Sequence, residues 1–215
     1  MSRSLVIIAA SGLAREVAAA VRAGGEHHVV AVLDDDLRRV GTRFGSWTIA
    51  GTSRDAVDHP ECSFVVCAGS GSARAAIVRR VVAGGVEPSR FATIVDPSVR
   101  IPQGCTVGAG SVILAGSVLT ADVTVGAHVV VMPHVVLTHD CTVDDYVTLC
   151  AGTVLGGGVH VQSGAYLGMN SSVRENLTVG RGSVLGMAAV AVSDVPPGET
   201  RVGCPAVPMT GAGAA

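Results

Sequence analysis

The sequence predicts a chain in two parts, a small Rossmann-like α/β domain followed by a parallel β-helix of hexapeptide repeats, and three observations predict it. The first is a ruler of six. From Val95 to Ala191 every sixth residue is aliphatic (Val95, Ile101, Val107, Ile113, Leu119, Val125, Val131, Leu137, Val143, Leu149, Leu155, Val161, Leu167, Val173, Val179, Leu185, Ala191), and the residue four further on is small or medium-sized, from Val99 and Cys105 to Ala189 and Val195. A helix repeats its apolar positions at three and four and a hairpin sheet at two, so an unbroken period of six fits neither. It fits a solenoid in which each hexad supplies one short strand and a turn. The second observation is composition: 48% hydrophobic residues with only 3% aromatic and 28 glycines imply a core of small, β-branched side chains and many tight turns. The third is the opening, "SLVIIAASGLAREVAAAVRAGG" followed by "HHVVAVLDDD", which reads as strand, Ser-Gly turn, amphipathic helix and a second strand ending in acids.

Taken in order, residues 1–92 form the α/β domain. Ser11 and Gly12 open its first helix toward a phosphate or polar sugar, and Asp34 and Asp35 end the second strand as acceptors for sugar hydroxyls or an amine. "SFVVCAGSGSARAAIVRRVVAGG" repeats the strand, glycine turn and helix, with Gly69 and Ser70 in the turn. "EPSRFATIVDPS" links this unit to the β-helix, residues 93–198, and residues 199–215 form a closing segment with a flexible tail. A valine-rich sandwich is the bland alternative, but its loops would vary in length and lose the register. A Ser-Gly turn without a full GxGxxG does not predict NAD.

Composition excludes several functions. A net charge of −2 and the lack of aromatics interleaved with arginine speak against nucleic acid. No apolar segment is long enough to span a bilayer, and the N-terminal run lacks a signal-peptide cleavage pattern, so the expectation is a cytoplasmic protein. Six cysteines without a CxxC pair are expected to be reduced thiols rather than a zinc site or disulfide framework. The sequons at Asn170 and Asn176 are then chemically silent. All 15 basic residues are arginine.

The hexad ladder resembles the left-handed β-helix with three hexads per coil; the hand comes from that resemblance, because ordinary parallel crossovers are right-handed. Residue n then stacks on n+18. In "LTHDCTVDDYV", His139 is the third residue of its hexad, outward near a corner, and Asp140 follows it. Stacking sets Gly157 over His139 and Gly158 over Asp140, leaving open space with bare backbone N–H groups beside an imidazole. A base next to an N–H donor is what acyl transfer needs: one takes the proton of the attacking group, the other stabilises the oxyanion.

The whole chain resembles the bacterial sugar acyltransferases of the sialic acid O-acetyltransferase and nucleotide-4-amino-sugar N-acetyltransferase group. The match is carried by "ASGLAREV", "LDDD", "THDCTVDDYV", "LGGGVHV", "YLGMNSSV" and "VPPGETRVGCPAVPM". That resemblance implies a homotrimer with acetyl-CoA lying along the β-helix between two subunits, His139 as general base, Asp140 orienting it, and the thioester near Gly157. It implies cofactor contacts at Thr148, Gly157, Met169 and Met187, and, with no lysine to meet the CoA phosphates, at Arg174, Arg181 and Arg201. The sequence departs from the family pattern at Thr148, where a second His is frequent, at Leu13 and Ser70 in the glycine turns, and at Val207 after "GCPA". The expected reaction is acetyl transfer to the amino group of a nucleotide-linked amino sugar; O-acetylation of a sugar or other small acceptor and a non-catalytic sugar-nucleotide-binding scaffold are the alternatives. Zinc-dependent carbonic anhydrases share the β-helix, and His134 with His139 suggests two of their ligands. No His lies between His59 and His128 to supply the third, so no metal is expected.

Overall fold

The structure, a computed structural model, describes residues 2–209. The α/β domain is a five-stranded sheet in the order β3-β4-β2-β1-β5, built from β1 (Arg3–Ile8), β2 (His27–Leu33), β3 (Arg43–Phe44), β4 (Trp47–Gly51) and β5 (Ser63–Val66). Only β3 runs antiparallel to its neighbour. β1 is buried on both faces, as its unbroken apolar run requires. Helix α1 (Gly12–Gly24) and helix α2 (Gly71–Ala83) each begin at a serine N-cap, Ser11 and Ser70, whose hydroxyls accept from Ala14 N and Ala73 N.

The β-helix consists of two-residue strands whose parallel partners are 18 residues apart, Val130 with Thr148 and Leu137 with Leu155 among them. Three strands per coil make a triangular prism with three faces. A docked face runs through Val112–Ile113, Val130–Val131, Thr148–Leu149 and Tyr166–Leu167; a valine face through Val118–Leu119, Val136–Leu137 and Val154–Leu155; a threonine face through Thr124–Val125, Thr142–Val143 and His160–Val161. The aliphatic column and the small column four residues on both point inward, and residues from Ile113 to Val195 share one core.

A second column was not legible in the ladder. In every hexad from Gly110 to Ala188 the third residue after the aliphatic one has a positive φ, including Asp122, His128, His134, Asp140, Tyr146, Asn170 and Asn176. Glycine, Asn and Asp reach this left-handed region most cheaply, which explains much of the column's composition. His134 and His128 therefore occupy the turn position at two corners and His139 lies at the third, so the three histidines point to different sides of the prism. Among the described residues no cluster of His, Cys, Asp and Glu has the geometry of a metal site.

The α/β domain sits on the docked face, where Val112, Val130 and Thr148 are buried and the two valines join the core of α1 and β1. Arg74 of α2 fastens the two. It is wholly buried and donates to the carbonyls of Ala68, Gly69, His128, Tyr146 and Val147 and to the Thr148 hydroxyl. Gly71 permits the approach, since a Cβ there would lie 2.0 Å from the Tyr146 carbonyl oxygen. Beside Arg74, His128 stacks on Tyr146 at 5.2 Å and meets Phe91 edge-on at 4.9 Å. Burial, reinforced by the neighbouring Arg74 charge, pushes the His128 pKa down to about 4.

The end piece adds to the docked face: Thr200–Val202 pairs in parallel with Val184–Leu185 and Val207–Pro208 returns antiparallel to it. The tail expected beyond residue 209 lies outside the described residues.

Candidate active site

His139 and Asp140 lie in the turn from the valine face to the threonine face, at the corner opposite the docked face. Asp140 has φ 62° and donates its N–H to the Ala121 carbonyl at 3.0 Å, which turns its carboxylate back toward the preceding imidazole. His139 Nδ1 and Asp140 Oδ2 are 2.7 Å apart. With Nδ1 held as the N–H donor, Nε2 is left as the basic nitrogen. The His139 ring lies against the bare Cα of Gly157: a Cβ there would be 2.4 Å from Cε1 and 2.5 Å from Nε2.

The backbone of this step is unevenly satisfied. Gly156 N–H donates to Val173 O and Gly158 N–H to His139 O, both at 2.9 Å, whereas Gly157 N–H between them has no acceptor among the described residues. At another corner two of the equivalent N–H groups are taken by side chains, Ala127 by Asp145 and Arg181 by Gln162, while that of Ser163, like Gly157, has no acceptor among the described residues. An oriented imidazole and a spare amide thus share one open step, and the His139 side chain is 67% exposed in the single chain. A second imidazole–carboxylate pair, His160 with Asp144 at 3.0 Å, lies on the threonine face rather than at a glycine step.

Of the expected cofactor contacts, Gly157 and Arg174 share the His139 corner. Met169 and Met187 stack at the corner between docked and valine faces and are 47% and 68% exposed. Arg181 occupies the remaining corner, and Arg201, on the docked face, is held by Glu199 and Ser193. The three arginines do not converge within one chain. Thr148 is corrected: it is fully buried, its hydroxyl donating to Gly69 O at 2.8 Å and accepting from Arg74 at 3.1 Å, because its strand lies under the α/β domain.

In the α/β domain the two glycine turns lie at the C-terminal edge of the sheet. The Ser11 hydroxyl donates to Cys67 O at 2.6 Å, and a Cβ at Gly12 would meet nothing. The Asp34 carboxylate accepts from Ala10 N, Asp36 N and Arg39, all at 2.8–2.9 Å. Asp35 accepts from Ser53 N and pairs with Arg80. Burial alone would raise the Asp35 pKa, but the Ser53 N–H and hydroxyl together with Arg80 hold it below the usual carboxylate value. Each of these carboxylates is thus already paired with an arginine of the same chain, Asp34 nearly buried and Asp35 still partly open to solvent. Gly69 and Ser70 do line a cleft of about 530 Å³ with Ser72, Gly164, Tyr166, Gly182 and Val184. Arg74 and the arginine partners of the acidic run went unread, since an arginine on a helix normally signals a solvated face.

A β-helix of hexads, an oriented imidazole at a glycine step and a docked α/β domain with two glycine turns define a hexapeptide-repeat acyltransferase. The chain matches the PglD N-terminal domain over residues 4–81 and the bacterial transferase hexapeptide repeat over residues 122–157. It is 28% identical over 151 residues to GDP-perosamine N-acetyltransferase of Escherichia coli O157:H7, covering 68% of this chain and 67% of that one. A putative acetyltransferase of Schizosaccharomyces pombe is 35% identical over 65 residues, and the chain spans only about a third of that relative, 31% of its length. Among solved structures, the acetyltransferase domain of PglB from Neisseria gonorrhoeae superposes with a TM-score of 0.86 at 27% identity, covering 97% of this chain and 100% of that one. A mutant of perosamine N-acetyltransferase from Caulobacter crescentus, in complex with CoA and GDP-perosamine, superposes with a TM-score of 0.89 at 25% identity and 97% coverage of each. The chain thus carries a PglD-type N-terminal domain and hexapeptide repeats and is similar to bacterial sugar acyltransferases along nearly its whole length.

Proposed function

We propose that the protein transfers an acetyl group from acetyl-CoA to the amino group of a nucleotide-linked amino sugar, as a cytoplasmic homotrimer. Residues 1–92 hold the acceptor, residues 93–198 carry the base and residues 199–215 close over the donor. The observation that carries this reading is the His139–Asp140 pair set against Gly157 with its spare N–H. The acceptor nitrogen attacks the thioester carbonyl while His139 Nε2 takes its proton, with Nδ1–H donating to Asp140. Gly157 N–H donates to the oxyanion of the tetrahedral intermediate. Collapse breaks the C–S bond, the thiolate leaves, and the imidazolium returns a proton to it. No acyl-enzyme forms: Cys141 is fully buried, and burial pushes its thiol pKa up.

The geometry supports a site shared between chains. The α/β domain covers the docked face and His139 stands at the opposite corner, so an acceptor held by one chain meets His139 of another. Such a contact joins two different surfaces, and heterologous contacts that close give rings rather than two-fold dimers. The exposed column of Val118 and Val154 on the valine face, 46% and 40% exposed, borders the His139 corner and supplies apolar surface for that contact.

The test is a mass-spectrometric screen of acetyl-CoA and other acyl-CoAs against nucleotide-linked amino sugars, with wild type and His139→Ala in parallel. A His139-dependent acylated product establishes the reaction; CoA binding without product across the panel removes the proposed acceptor class.

A further inference from the structure

The second glycine turn is held by side chains from both units. Arg74 Nη1 donates to Ala68 O at 2.6 Å and to Gly69 O at 3.2 Å. From the β-helix, the Thr148 hydroxyl donates to Gly69 O at 2.8 Å and accepts from Arg74 Nη2 at 3.1 Å. Thr148 stands in a column of the docked face that runs Val112, Val130, Thr148, Tyr166 and Val184. Valine has nearly the same shape and would dock the α/β domain by apolar burial alone, so packing does not account for a fully buried hydroxyl there. Its two partners, the turn and the arginine beneath it, do.

A peptide unit is planar and trans, so its N–H points opposite to its carbonyl. With the Ala68 and Gly69 carbonyls turned onto Arg74 and Thr148, the N–H groups of Gly69 and Ser70 face away from them, and neither has an acceptor among the described residues. The same two residues line the cleft of about 530 Å³. A Cβ at Gly69 would meet nothing, so a ligand can approach this backbone closely. Burial lowers the Arg74 pKa only to about 10, which leaves it charged at neutral pH. Its partners are five carbonyls and one hydroxyl, with no carboxylate among the described residues, so the charge behind the turn is not neutralised.

We propose that Arg74 and Thr148 are positioning residues for the acceptor: through them the β-helix grips the backbone of the second glycine turn and fixes two N–H donors that receive an oxygen of the acceptor. The inference rests on the α/β domain holding the acceptor. Neither side chain touches the acceptor or acetyl-CoA, since both act through the Ala68 and Gly69 carbonyls. Because the grip comes from the unit that carries His139, acceptor binding depends on how the α/β domain is seated on the solenoid and not on that domain alone. Without the Thr148 hydroxyl, Gly69 O keeps only the longer contact to Arg74, and the turn loosens while the apolar interface stays closed.

The experiment is steady-state kinetics of the full chain with acetyl-CoA and an amino-sugar nucleotide that the wild type acetylates, for wild type, Thr148→Val, Thr148→Ser and Arg74→Lys, with thermal melting in parallel. The expected result for Thr148→Val is an acceptor KM raised about 10-fold, with kcat and the acetyl-CoA KM within about 2-fold of wild type. Thr148→Ser, which keeps the hydroxyl, should restore the acceptor KM, and Arg74→Lys, which keeps the charge but loses the fork, should raise it. An unchanged acceptor KM in Thr148→Val, or a loss shared equally by both substrates and kcat, overturns the positioning role and leaves Thr148 a packing residue. An unchanged acceptor KM in a folded Arg74→Lys removes Arg74 from the role. Failure of the wild type itself to acetylate any amino-sugar nucleotide, with CoA still binding, overturns the acceptor reading beneath the proposal and is visible before any variant is made.

Discussion

Replacing Gly157 with alanine tests the proposed catalytic step with a single methyl group. The new Cβ would stand 2.4 Å from His139 Cε1 and 2.5 Å from Nε2, where ordinary contact begins near 3.4 Å, so the ring must retreat by about 1 Å. Nothing in the backbone resists the substitution, because Gly157 does not have a positive φ, and the 67% exposed imidazole can swing into solvent. Stability should therefore change by no more than about 0.5 kcal/mol. The rate should fall about 100-fold, since a displacement of this size moves the base off the line to the attacking nitrogen. The adjacent glycines are internal controls. Gly158 has φ +68°, and a methyl group added there would lie 2.6 Å from Asn176 Oδ1, so Gly158→Ala should cost about 1–2 kcal/mol of stability. Gly156→Ala would press on the Glu175 backbone nitrogen at 2.6 Å and also destabilise. Thermal melting and steady-state kinetics on the three variants separate the cases. A Gly157→Ala protein with the full wild-type rate would refute the placement of His139 at this step, whatever its melting temperature.

His139→Ala should lower turnover by about 10²–10⁴-fold with an unchanged melting curve, as expected for an exposed general base. Arg74→Met should cost about 3 kcal/mol in a denaturant titration, because it strands buried carbonyls of the β-helix and the α2 turn without a donor. His128 gives a pH signature. Its folded pKa of about 4 lies below the ordinary 6.5, so from about pH 6.5 down to about pH 4 the unfolded chain takes up a proton that the native chain refuses. Stability should decline across that window by about 3 kcal/mol from this residue, and comparison of urea midpoints with His128→Asn isolates the share. Light scattering of the active enzyme should give about three times the 21.5 kDa chain mass; an active monomer would remove the shared site.

Periodicity alone was enough to specify the solenoid. A period of six in aliphatic residues admits few folds, and the observed strands fall on the ladder with partners 18 residues apart, as in Val125 with Val143. The same arithmetic put His139 against Gly157, because in a coil of fixed length stacking follows from residue number. The first glycine turn and its helix were legible for a related reason: Ser11 and Gly12 are local signals that act within one turn of their own chain.

Contacts between units that no period links were settled only by the packing of those units. Arg74 and Thr148 meet across 74 positions in the sequence, so Thr148 became a buried partner of the α/β domain and not a contact for the acyl donor. Asp34 and Asp35 read as open acceptors because a run of acids says nothing of which arginines fold back on it; Arg80 arrives from α2, 45 positions away. Periodicity fixes where a residue lies along and around a solenoid, but side-chain pairing depends on which surfaces dock, and that is set by burial and hydrogen bonding between the units.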